Sequence, residues 1–317
     1  MPKGSSAAWK IRHQRWQKFV QANIRAVQTG KGIALGPSAT PLNAPKVRAG
    51  KGEPIRVVVC SPHPDDEALI GALPLRFRRE CGATVTNCAI TLGSNTHERP
   101  RRRCELEAAC AALGFDLVVA NPPSGFDHIN LDNRQNHRKE WIAKVRVLSG
   151  VLEQLKPDAV FAPHADDFNS THIGTHYLVV DALSEYLKRT GRGPLPFFET
   201  EFWHQNLRPN LMVGVPPEDE AILIMAVAEH GEEVRRNPYH LRHPARMIEN
   251  VRLGAEVVGG QGGAAPDFPF AELYHLTFMA GKKLMAPRPG GRVVGPAEKI
   301  DLQDLVKSFL PDGLDGR

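Results

Sequence analysis

His63, Asp65 and Asp66 crowd into one short segment, Ser61-Pro62-His63-Pro64-Asp65-Asp66-Glu67. An imidazole and a carboxylate three residues apart are the nitrogen and oxygen donors of a catalytic zinc site. Pro64 fixes one backbone angle between them and stiffens the turn. His63 and Asp66 then converge on one ion while Asp65 points elsewhere, a carboxylate left over to move protons. The same Asp-Asp-Glu run would also serve as a helix cap, because negative charge is tolerated at a helix start. Capping alone, however, needs no histidine. The elements on either side place the segment. Ile55-Arg56-Val57-Val58-Val59-Cys60 is a continuous apolar run that predicts a buried strand. Ala68 to Phe77 reads as the helix that follows. The turn between a strand and its following helix, at the carboxyl end of a parallel strand, is where open α/β sheets bind ligands.

A second group of donors follows another strand-like run, Ala159-Val160-Phe161-Ala162. His164, Asp166, Asp167, Asn169, His172 and His176 all lie close behind it, at what should be the same end of the sheet. A third ligand is expected here, with His164, His172 and His176 as the imidazoles on offer. His176 lies one helical turn beyond His172, where it would support a ligand or form a pocket wall. Ser94 to His97, after a further strand, and the polar stretch Asp127 to Asn133 suit a substrate with several hydroxyl groups.

Pro62-His63-Pro64-Asp65-Asp66-Glu67 resembles the signature of the PIG-L/LmbE-like N-acetylglucosaminyl deacetylases. Four further segments resemble that family in the expected order. They are Arg102-Arg103-Cys104-Glu105-Leu106 leading to Ala112-Leu113-Gly114-Phe115, then Pro157 to His164, then Asp167-Phe168-Asn169-Ser170-Thr171-His172, then Phe270-Ala271-Glu272-Leu273-Tyr274. The Pro62 to Glu67 motif is specific; the four others are weaker singly. The resemblance implies zinc held by His63, Asp66 and His172, with Asp65 as general base. It also implies a substrate contact at Arg102, whose guanidinium suits hydroxyls or a phosphate. His176 is read as a second substrate-side residue. One departure stands out. The family often has His-x-x-His where this chain has Asn169 to His172, and the first His steadies the oxyanion. An Asn amide donates a hydrogen bond to an oxyanion but transfers no proton.

The wider pattern alternates strand and helix. Strands are predicted at 84–91, 117–120, 159–162, 197–203 and 211–215, and helices at 99–113, 138–155, 174–188 and 221–235. Such alternation implies an α/β fold, a Rossmann-like, mostly parallel sheet with flanking helices. The domain reading is a basic N-terminal helix and linker at 1–53, a deacetylase-like domain at 54–285 and a C-terminal tail at 286–317. In the first segment Trp9, Ile11, Trp16, Phe19, Val20, Ile24 and Val27 recur at helix-like intervals among Lys3, Lys10, Arg12, Arg15, Lys18 and Arg25, with no acid before residue 53. An apolar helix face of this kind packs on the body or on another subunit, which fits a homo-oligomer. A peripheral membrane or nucleic-acid role for this basic segment is the competing reading, although at net charge +5 no nucleic-acid partner is expected.

No apolar run approaches the ~20 residues of a membrane span. The N-terminus lacks the apolar core of a secretory signal. The five cysteines form no disulfide framework. A cytoplasmic setting is therefore expected. Together with the resemblance, these readings predict a zinc-dependent hydrolase that removes acetyl from an N-acetylated amino sugar or glycoconjugate. A zinc amidase for a larger acyl or thiol conjugate would use the same residues. A non-catalytic sugar-binding protein on the same scaffold would not need Asp65.

Overall fold

The computed structural model of the protein describes residues 5–47 and 53–311, so the extreme ends of the N-terminal segment and of the tail, and part of the linker, lie outside the described residues. Helix α1 (Ser5–Lys31) precedes the body. The first half of the body reads β1 (Arg56–Ser61), α2 (Asp66–Leu69), α3 (Ala72–Cys81), β2 (Thr84–Ala89), α4 (Arg99–Leu113), β3 (Asp116–Val119), α5 (Leu131–Asn136), α6 (Arg138–Leu155), β4 (Ala159–Pro163) and α7 (Ser170–Thr190). The second half adds β5 (Leu195–Thr200), β6 (Leu211–Gly214), α8 (Pro217–Glu229), α9 (Gly231–Arg236), α10 (His243–Val257), β7 (Ala271–Ala280), β8 (Lys283–Met285), β9 (Arg292–Val294) and α11 (Leu302–Lys307). A short 3₁₀ turn at Tyr239–Leu241 lies between α9 and α10.

These strands form one mixed sheet in the order β3-β2-β1-β4-β5-β7-β6-β9, with β8 paired to β7. β1 to β5 run parallel, as the alternation predicts, and β7 runs antiparallel between β5 and β6. From β1 the chain winds outward through β2 to β3, then returns to lay β4 on the other side of β1. The order therefore reverses between β1 and β4. At such a switch point two strand ends open side by side, leaving a crevice between their loops.

Both faces of the sheet are covered, so the central strands are apolar throughout. Val57, Val59, Phe161 and Phe198 face one layer with α3, α4 and α8. Val58, Cys60, Val160 and Phe197 face the other, under α6 and α7. Phe161 and Phe198 stack across neighbouring strands, ring centroids 4.5 Å apart. The cysteines are free, as expected. No helix among the described residues is long and apolar enough to cross a membrane.

Three differences from the sequence reading bear on the site. α7 begins at Ser170, not 174, because Asn169 caps it through Oδ1 to the Thr171 N–H at 2.9 Å. His172 thus sits in the first turn of a helix. The helix predicted over 221–235 is broken at His230, whose ψ of 59° interrupts it. The stretch read as a tail is partly folded: β9 extends the sheet, and Ile300, Leu302, Leu305 and Phe309 are buried against the core.

The start of α3 is tied to β7. The Ala72 N–H donates to Glu272 Oε2 at 3.2 Å and the Leu73 N–H to the Tyr274 hydroxyl at 3.0 Å, while that hydroxyl donates to Glu272. Burial pushes the Glu272 carboxyl up to about 7. The folded protein therefore keeps a proton that the unfolded chain has already released. Stability from this group is complete below the ordinary carboxyl value and is lost as pH rises through about 7. Urea denaturation between about pH 5 and pH 8 should show the wild type losing on the order of 2–3 kcal/mol relative to Glu272→Gln. Parallel pH curves for the two proteins would show that Glu272 is ionised in the fold.

Candidate metal centre

β1 delivers the first two donors. Beyond Ser61 the turn is pinned to the β2 loop: the Thr91 hydroxyl donates to the Pro62 carbonyl at 2.8 Å. The His63 N–H donates to Asp66 Oδ2 at 2.9 Å, closing a tight loop around Pro64 and Asp65. Asp65 pays for that loop with a φ of 114°, a region L-residues seldom adopt. No side-chain cap bond comes from Asp65, so the acidic run is not serving as a helix cap.

β4 and the first turn of α7 deliver the third donor across the switch point. His63 Nδ1 and His172 Nε2 lie 3.2 Å apart. Asp66 Oδ2 is 3.4 Å from each. Donor atoms of His63, Asp66 and His172 all lie within 4.8 Å of one another, the one such group among the described residues. The expected ligand set is thus brought together. The other His172 nitrogen, Nδ1, faces Asp167 Oδ2 at 3.4 Å, and the Asn169 N–H holds Asp167 Oδ1 at 2.8 Å. A carboxylate behind a ligating imidazole fixes its tautomer and orientation.

The electrostatics call for a cation. Asp66 is 1% exposed, yet its Oδ1 has no hydrogen-bond partner. Against its burial, His172 and His63 hold the Asp66 carboxyl well below the usual range. Against its own burial, Asp66 and Asp167 push His172 up to about 9. A buried carboxylate with an unused oxygen, facing two imidazoles, is matched by a metal ion, and the residues present fit one.

Asp65 lies beside the cluster without joining it. Burial first, and then the Asp66 carboxylate, push its carboxyl up to about 7. Its Oδ2 accepts a short hydrogen bond from Tyr239. Its backbone N–H donates to Glu67 Oε2 at 2.9 Å, and Glu67 Oε1 pairs with His230 Nε2 at 2.7 Å, both side chains fully buried. The break between α8 and α9 is what turns His230 under this loop. Neither Tyr239 nor His230 was expected from the sequence; the 3₁₀ turn and the break that carry them have no motif. Asp167 stood in the donor cluster, but only the fold shows its carboxylate behind His172.

A cleft of about 540 Å³ opens on His63, and Arg102, Ser94, Asp127, Asn130 and Thr171 are on its walls. Arg102 Nη2 donates to the Pro64 carbonyl at 3.1 Å, which ties this arginine to the loop between His63 and Asp66. His176 lies elsewhere. Its Nδ1 is 2.8 Å from the Pro163 carbonyl and 3.5 Å from Glu199, and its ring packs on Phe197 of the sheet. It is not among the residues lining that cleft. His164 contacts the His204 carbonyl at 3.0 Å and stands outside the ligand cluster.

With the donor cluster and the adjacent carboxylate described, the chain can be compared with known proteins. Residues 58–183 match the PIG-L family model, described as GlcNAc-PI de-N-acetylase. No curated protein matches the chain. Among solved structures, a deacetylase of the teicoplanin biosynthesis pathway is similar, with TM-score 0.51 and 17% identity, over 70% of this chain and 97% of that one. N,N'-diacetylchitobiose deacetylase from Pyrococcus horikoshii is similar with TM-score 0.50 and 16% identity, over 71% and 84%. So is GalB, a 4-carboxy-2-hydroxymuconate hydratase from Pseudomonas putida KT2440, with TM-score 0.51 and 16% identity, over 71% and 96%. At these identities the likeness establishes the LmbE-like fold, and the hydratase shows that one fold carries different reactions.

His172→Ala should abolish tight metal binding, since two protein ligands seldom hold zinc. Asp167→Asn should weaken it by roughly 10- to 100-fold while leaving the ligand set intact. Chelator competition read by elemental analysis separates the two; full occupancy in His172→Ala would misplace the third ligand.

Proposed function

We propose that this protein is a zinc-dependent hydrolase that removes the acetyl group from an N-acetylated amino sugar or glycoconjugate. The observation that carries this reading is the His63-Asp66-His172 cluster with one carboxylate, Asp65, beside it and not used as a ligand. The description of the matching family supports the amide as the bond broken. The chemistry that zinc supplies when bound at such a site is Lewis acidity, which acidifies water toward pKa ~7 and polarises a carbonyl.

Asp65 accepts the proton of the attacking water. Its Oδ2 is engaged by Tyr239, so Oδ1 is the oxygen directed to this task. Water adds to the acetyl carbon, the C–N bond breaks, and Asp65 returns the proton to the departing amine. Acetate and a free amine result. Burial keeps this carboxyl close to neutral in affinity, which suits a group that must both take and give a proton. Asn169 spends Oδ1 on its cap, so Nδ2 is the end free to donate to the developing oxyanion. Arg102, fixed through the Pro64 carbonyl, reads the hydroxyls or phosphate of the substrate from the cleft wall.

An acetate-release screen over N-acetylated sugars, run on protein of measured metal content, tests the reading. Equal amounts of acetate and amine are expected. Metal-loaded protein that releases neither, or that releases a larger acid from other conjugates, would overturn it. Asp65→Asn should keep the metal and lose on the order of 10²–10⁴-fold in turnover. Asn169→Ala should lower turnover by roughly 10²–10³-fold with little change in KM, because the bond forms mainly in the transition state. If Asn169→Ala instead melts earlier or loses metal in proportion to activity, the residue only caps α7.

A further inference from the structure

α1 is the largest feature that neither the sheet nor the cleft uses. From Ala7 to Thr29 every residue is exposed. The helix meets the body at its far end, where Gly30 abuts Leu241 of the 3₁₀ turn. Trp9, Trp16 and Phe19 are 63%, 67% and 60% exposed, and Val20, Ile24 and Val27 are exposed beside them. Trp9, Trp16, Val20 and Val27 follow at spacings close to whole helical turns, so they form one stripe with Ile24 at its edge. Lys10, Arg15, Lys18 and Arg25 lie off this stripe, Arg12 flanks it beside Phe19, Ile11 lies among the basic residues, and the helix holds no Asp or Glu.

Such a helix needs a partner. Most helical stability in proteins comes from tertiary packing of an apolar face, and this face is exposed among the described residues. The partner must be apolar where the stripe meets it and anionic around it. A second α1 meets the first condition and fails the second, because pairing would set two acid-free basic helices together without a carboxylate between them. A nucleic acid meets the second and fails the first, since a phosphate backbone offers nothing to Val20, Ile24 and Val27. An anionic lipid surface meets both. A Trp- and Phe-bearing stripe bordered by Lys and Arg, whose long side chains can reach up to the headgroups, is the pattern of helices that lie in the headgroup region.

We infer that α1 is an interfacial anchor that docks the protein on anionic lipid membranes. The helix lies in the surface with Trp9, Trp16 and Phe19 inserted, and it crosses nothing. Because α1 joins the body beside the 3₁₀ turn that carries Tyr239, docking would hold the body close to the bilayer by its active-site side. The inference stands apart from the hydrolytic reading, and its test involves no turnover.

Full-length protein should be co-sedimented with vesicles of phosphatidylcholine alone and of phosphatidylcholine mixed with phosphatidylglycerol. Binding to the mixed vesicles should be about tenfold or more tighter, and should weaken as salt screens the charges. A combined Trp9→Ser, Trp16→Ser and Phe19→Ser variant should lose this binding while its body melts as in the wild type. A Lys10→Gln, Arg15→Gln, Lys18→Gln variant should lose the preference for phosphatidylglycerol. Wild type that binds neither vesicle, or an aromatic variant that binds as well as wild type, overturns the inference. So does a wild-type dimer in light scattering that the aromatic variant turns into a monomer without any vesicle binding, for the occupant would then be a second copy. Binding to duplex RNA that outlasts loss of the aromatics would equally overturn it.

Discussion

The site turns on one buried carboxylate. Asp66 has no exposure worth the name, takes the His63 N–H on Oδ2, and presents the rest of its charge to two imidazoles. An unpaired carboxylate in such a place would be driven to its neutral form. Here His172 and His63 hold it ionised against its burial, and a cation seated between the carboxylate and the rings would meet the same demand. That requirement binds together two segments that the chain keeps far apart. The reversal of strand order between β1 and β4 satisfies it, because it opens the two loops side by side. Sheet topology and metal site are in this sense one constraint seen at two scales.

Around this charge the backbone is held by residues from beyond the PIG-L domain match. Asp65 keeps a φ of 114° because its N–H is taken by Glu67, which is itself held by His230. Tyr239 fixes the Asp65 carboxyl from above. Glu272 and Tyr274 take the first N–H groups of α3, the helix the loop leads into. Arg76 in the same helix then reaches the carbonyls of Gly214, Gly295 and Glu298, at 2.9, 3.1 and 2.5 Å. The candidate ligands come from residues 58–183, and much of their support comes from the remainder of the chain. Support of this kind decides whether a catalytic carboxylate is held within the narrow tolerance that proton transfer demands.

The division explains what could be read from the sequence. β1 and β4 were legible because strands buried on both faces are continuous apolar runs. His63, Asp65 and Asp66 were legible because donors and a stiffening proline sit within one turn. His172 stood out only through the family pattern; in the donor group alone it was one imidazole of three. What brings it to the site is the N-cap at Asn169, a local signal that the apolar periodicity of α7 obscured. Tyr239 and His230 carried no signal at all. Their positions follow from a break in sequence that otherwise reads as helix, at His230, and from a 3₁₀ turn beyond the predicted helix, at Tyr239. β7 was seen only as a short family-like element, although it is the longest strand and pairs with β5, β6 and β8.

Asn169 shows how one position can serve two demands. As the cap of α7 it must offer an oxygen to the Thr171 N–H, which sets the helix start and so aims the His172 ring. Asparagine does this with Oδ1 and still presents an N–H donor at the other end of the same amide. A histidine there could donate and also shuttle a proton, but its ring offers no comparable short acceptor to the first turn. The chain has the better cap and the poorer acid. On the proposed mechanism that choice concentrates all proton movement on Asp65, which would explain why this one carboxyl is buried, bonded by Tyr239 and raised to about 7 while the carboxylate next to it is kept charged.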